Sequence, residues 1–81
     1  MTATYNYTGG FRVVANGNTF TTKAKSLYIG KTGHVKLQTY GHNNANTILT
    51  FFNVPQGTTL EIGTQKVYSS NTTASEIIGL Y

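Results

Sequence analysis

The chain has 81 residues, no cysteine, and a formal net charge of +4 from six basic residues set against two acidic ones. It has room for one small domain. The absence of Cys excludes a disulfide scaffold and a thiol nucleophile, and the absence of Asp excludes a Ser-His-Asp triad. Only 10% of the residues are charged, against about 25% in an ordinary soluble domain. The surface must therefore be polar through Thr, Asn, Gly and Tyr, and such a surface gives weak protection against edge-to-edge association.

Residues 1–22 read as an N-terminal arm with a first short strand, and residues 23–81 as a β-sandwich domain. The opening "MTATYNYTGG" has neither a basic nor an apolar signal region, and no run of 18 apolar residues occurs anywhere. Synthesis in the cytoplasm and no membrane partner are the expectation. "FRVV" (11–14) is a short strand closed by the turn signal Asn16-Gly17-Asn18; "TFTT" (19–22) either pairs back or leads onward. "SLYIG" (26–30) alternates Leu27 and Ile29 against Ser26 and Tyr28, "KTG" reads as a short turn, and "HVKLQTY" (34–40) resumes with Val35 and Leu37 inward. Together they predict a hairpin. "TILTFF" (47–52), almost entirely apolar or β-branched, predicts a strand covered on both faces, with Phe51 and Phe52 in the core. Pro55 falls between strands, where its missing N–H costs no ladder bond. "TTLEI", "QKVYS" and "EIIGLY" complete the set. Seven to eight short antiparallel strands, spaced near ten residues with almost no helical periodicity, predict an all-β fold, a small oligomeric sandwich or barrel.

At the C-terminal end, Ile77 and Tyr81 are expected on one face of the last strand, and Ile78 and Leu80 on the other. A strand with both faces covered is either central in its sheet or buried at a subunit boundary.

Catalytic chemistry finds few residues to work with. Glu61 and Glu76 are the only acids, and each reads as a solvent-side strand position. His34 and His42 flank one strand and, at its opposite ends, cannot share an ion within a subunit. The glycine pairs match no phosphate-binding loop. The expectation is no enzyme, no cofactor and no metal. Arg12, Lys23, Lys25, Lys31, Lys36 and Lys66 are too few for phosphate-led binding; the positive balance reflects missing acids and favours an acidic protein surface over nucleic acid. A small basic nucleic-acid-binding β-barrel is the alternative. Tyr28, Tyr40 and Tyr68 are dispersed, which favours structural tyrosines over a base-stacking platform. Burial and chain ordering nearly cancel in a domain this small. Without disulfides or a metal, added stability comes from association with further copies.

Three stretches carry a resemblance: "AKSLYIGKTGHVKL" (24–37), "LTFFNVPQGTTLEI" (49–62) and "KVYSSNTTASEIIGLY" (66–81). Taken in order they resemble the small head-spike base proteins of tailed phages and phage-derived gene transfer agents. The matching residues are Leu27, Tyr28 and Gly30, then Phe52, Asn53, Val54, Pro55, Gly57 and Thr58, and then Thr72, Thr73, Ala74, Ile77, Leu80 and Tyr81. A fainter likeness begins at "GGFRVVA". The resemblance implies a non-enzymatic virion protein with a jelly-roll-like β-sandwich on the outer capsid surface. It implies a homo-oligomer, a pentamer with a trimer as alternative, docked on the major capsid protein and carrying a spike or fibre. A place in the tail or baseplate is the other structural reading. Contacts are expected through the arm and first strand (Tyr5, Tyr7, Phe11, Arg12), through the polar loop at Asn71, Thr72 and Thr73, and through Tyr81.

Overall fold

In the computed structural model, residues 7–40 and 46–81 are described, and among them there is no helix. Seven strands form: β1 (Gly10–Arg12), β2 (Ser26–Lys31), β3 (Gly33–Thr39), β4 (Ile48–Val54), β5 (Thr59–Leu60), β6 (Thr64–Val67) and β7 (Ser75–Leu80). They make two antiparallel sheets, one in the order β1-β7-β2-β5 and the other β4-β3-β6. A bridge between Ala24 and Thr64 ties the chain ahead of β2 to β6.

The expected hairpin between β2 and β3 does not form. β2 pairs with β5 and β7, while β3 pairs with β4 and β6. One residue, Thr32, separates the two strands, and a hairpin needs at least two. The side chains carry the reason. Leu27, Ile29, Val35 and Leu37 are all fully buried and all odd-numbered, so the inward alternation passes through "KTG" without changing phase. An unbroken period of two belongs to one extended segment, and here that segment leaves one sheet and enters the other.

Gly33 makes the crossing possible. A Cβ at that position would stand 2.6 Å from the Cα of Ala74 and the carbonyl carbon of Thr73. The 72–74 backbone lies directly against β3, held by the Thr73 and Ala74 amides, which both donate to the His34 carbonyl.

Both sheets contribute to a single apolar cluster. Leu27, Ile29 and Ile77 come from the first and Val35, Leu37, Val54 and Val67 from the second, joined by Ala24 and Ala74. The radius of gyration is 11.9 Å, close to the ~12 Å expected of a compact chain of this length. Among the described residues no helix is long and apolar enough to cross a membrane.

β7 is central in its sheet, between β1 and β2, one of the two positions expected of it. Ile77 is buried, and the Phe11 ring lies across Gly79, where an added Cβ would come within 2.5 Å of Phe11 Cζ. Tyr81 shares that face, its ring 6.2 Å from the ring of Phe11. Ile78 and Leu80 share the opposite face, both approaching Gly10.

β4 departs from expectation. Among the described residues it is an edge strand, bonded to β3 alone, and it is not covered on both faces. Leu49 and Phe51 pack against the core, but Ile48 is 52% and Phe52 70% exposed. The sequence run is apolar on both sides because the outward side is apolar too.

Candidate functional site

The residues expected to make contacts fall into two groups. Phe11, Arg12 and Tyr81 come together with Val14, Asn18 and Phe20 around a groove of about 350 Å³. Here "TFTT" forms no strand. The Phe20 amide donates to the Gln65 carbonyl at 2.8 Å and its ring meets Phe11 edge-on at 5.1 Å, so the segment lies along β6. Tyr7 is half-buried, with its hydroxyl 2.6 Å from Ser26 Oγ. The Thr8 and Gly9 amides both donate to the Tyr81 carbonyl, so residues 7–10, read as part of the arm, lie against β7. Tyr5 and the rest of residues 1–6 lie outside the described residues, as does His42.

Asn71, Thr72 and Thr73 lie instead against β3. Asn71 holds a positive φ of 62°, a conformation Asn tolerates through its short polar side chain. It turns the chain so that Thr72 Oγ1 accepts from the Lys36 amide at 2.9 Å and Thr73 Oγ1 from the His34 amide at 2.8 Å. These hydroxyls stand in for a neighbouring strand beyond Val67.

Reading by composition missed the outward face of the β4-β3-β6 sheet. The register places Ile48 beside Gln38 and Gln38 beside Lys66, and in the next row Thr50 beside Lys36. Tyr68 continues that row; its amide donates to the Lys36 carbonyl, and the Lys36 ammonium sits 5.4 Å from the centre of its ring. Phe52 meets His34 edge-on at 5.2 Å. His34 Nδ1 accepts from the Asn53 amide at 3.0 Å, which leaves the ring proton of the neutral imidazole on Nε2.

None of the three strands contains an acidic residue. Glu76 is in β7 and Glu61 follows β5, and both are exposed. The face is thus apolar at one edge and weakly basic across its middle. Among the described residues no group of His, Asp and Glu could hold a metal ion.

Two neighbouring phenylalanines separate the faces of β4. Phe51→Ala should cost about 3 kcal/mol, because it removes ring contacts against the core. Phe52→Ala should change stability by no more than about 0.5 kcal/mol, as a substitution at an exposed position. Urea midpoints at constant slope measure both; equal losses would put Phe52 back in the core.

No family model, no curated protein and no solved structure matches the chain.

Proposed function

We propose that the chain is a non-enzymatic structural protein of a virion, a capsid decoration or the base of a head spike that anchors a fibre. It works as a homo-oligomer built on a small jelly-roll-like β-sandwich. One apolar cluster drawn from both sheets supports that architecture. The observation that carries the building-block reading is the edge strand β4, seven uncharged residues with Ile48 and Phe52 in solvent. Large apolar side chains exposed along one side of an uncharged edge mark an interaction surface.

The placement on a virion rests on the three stretches that resemble head-spike base proteins. A ring of such subunits, pentameric or trimeric, would sit on the major capsid protein at the outer surface and offer its far side to a spike or fibre. The groove at Phe11, Arg12 and Tyr81 and the loop at Asn71–Thr73 are the contact regions of that proposal. The weakly basic sheet face suits an acidic protein partner. With no acid on that face, the nucleic-acid reading keeps a physical basis, and ionic strength separates the two. Phosphate-led binding falls steeply between low and moderate salt, whereas a subunit held by strand pairing and apolar contact stays on its particle.

Antibody labelling of intact particles by electron microscopy, with a count of copies per site, is the direct test. Copies at regular outer-surface positions are the expected result. Absence from particles, or salt-sensitive binding of DNA by a monomer, overturns the reading.

A further inference from the structure

We propose that the free edge of β4 recognises itself: two copies pair β4 to β4, antiparallel, about a twofold axis through Thr50. The contact deepens the reading of the chain as a homo-oligomeric building block and rests on it.

The other edges are short or covered. β1 has three residues and β5 two. The outer edge of β6 is taken by residues 17–20, through the Gly17 amide to the Val67 carbonyl and the Phe20 amide to the Gln65 carbonyl. β4 has seven residues, and among the described residues its ladder runs to β3 alone. If one long uncovered edge is to meet an edge of an identical copy, its counterpart is the same strand, and the contact is isologous.

Hydrogen-bond phase agrees. The Thr39 amide donates to the Thr47 carbonyl, and antiparallel pairs alternate between bonded and non-bonded. Leu49 and Phe51 therefore direct their backbone groups to β3, while Ile48, Thr50 and Phe52 direct theirs to the open side. The Asn53 amide is already held by His34, so the open stretch ends there. With Thr50 on the axis, Thr50 bonds Thr50 of the second copy, and Ile48 bonds Phe52 in both directions.

The side chains are complementary under the same operation. The run Ile48-Leu49-Thr50-Phe51-Phe52 reads apolar against apolar when reversed. Ile48 faces Phe52 on the outward side, Leu49 faces Phe51 on the core side, and the small Thr sits at the centre. No Lys or Pro interrupts these five residues to discourage pairing, and the bulge in the β3–β4 ladder falls only at their far end, between Phe51 and Val54. Charge does not oppose it either. The nearest cation, Lys36, is one strand away, so the two Lys36 residues stand three strand spacings apart. That is about 14 Å, beyond the ~8 Å screening length at physiological salt. A twofold contact closes in pairs and does not by itself build a ring; added to a five- or threefold ring it joins two rings and gives ten or six copies.

Because the natural chain has no cysteine, single cysteines report the register. In full-length Thr50→Cys the two thiols meet on the axis, with Cα atoms about 5.5 Å apart, inside the ~4.4–6.8 Å range of disulfides. In Phe52→Cys they lie about 13 Å apart. Under mild oxidation, the Thr50→Cys protein should give at least tenfold more covalent dimer than the Phe52→Cys protein, and native mass spectra of the unmodified chain should show even copy numbers. Equal cross-linking, no cross-linking, or a trimer or pentamer without a dimeric unit overturns the contact. Cross-linking at Thr50 by a protein absent from particles leaves the contact standing and overturns the virion reading instead.

Discussion

A chain cut after Glu76 should not fold. Residues 77–80 lie in the middle of a sheet, pairing with β1 through Gly10↔Leu80, Phe11↔Gly79 and Arg12↔Ile78, and with β2 through Ser26↔Leu80 to Ile29↔Ile77. Their removal strands β1, opens one edge of β2 and takes Ile77 out of the core. Loss of a buried Ile side chain alone costs about 2–5 kcal/mol, and each ladder bond adds about 1 kcal/mol. A domain of this size has about 5–10 kcal/mol in total. Far-UV circular dichroism should show no cooperative transition for the truncated chain, and size-exclusion chromatography no folded species. A chain cut after Leu80 loses only Tyr81, which is 36% exposed, and should fold with a lowered midpoint. Cooperative unfolding of the shorter chain at the full-length midpoint would refute the central role of β7.

The second large effect is expected at Gly33. The atoms that a Cβ there would meet are the Thr73 carbonyl carbon and the Cα and amide nitrogen of Ala74. All are backbone, so no side-chain rotation relieves the clash. Gly33→Ala must push β3 from residues 72–74, disturbing the bonds from the His34 amide to Thr73 Oγ1 and from the Thr73 and Ala74 amides to the His34 carbonyl. The expected loss is about 3 kcal/mol or more, which lowers the melting temperature of such a domain by over ~10 °C. Gly57 is the matched control. Its φ is +84° and an added Cβ meets nothing within 4 Å, so Gly57→Ala costs only the ~1–2 kcal/mol of a left-handed L-residue. Comparable melting shifts for the two substitutions would mean that the approach of residues 72–74 to β3 is not tight.

Much of the fold could be read from side-chain alternation, and the errors came from deciding what alternation means. Leu27, Ile29, Val35 and Leu37 were legible as core because period two fixes a face whatever the strands pair with. The turn at "KTG" was illegible as a corner because Gly and Lys read as a loop. The unchanged odd-numbered phase on either side argues against a hairpin. "TILTFF" shows the converse limit. Apolar residues on both sides of a strand do not require burial on both, since Ile48 and Phe52 are exposed while Leu49 and Phe51 pack inward. The central place of β7 was one of two readings the sequence left open. The contact residues named from the loop were less legible, since hydroxyls such as those of Thr72 and Thr73 serve an internal strand edge as readily as an external one.

The pairing of β1 with β7 has a kinetic consequence. Gly10 meets Leu80 only after the 69 residues between them have been brought round, and topologies dominated by such distant pairings fold in milliseconds to seconds. Throughout that interval β4 can pair locally with β3 while its apolar edge is open to any passing chain. Dilute, rapid-mixing refolding should therefore outperform concentrated refolding. The strand we propose as the joint between copies is also where unfinished chains would stick.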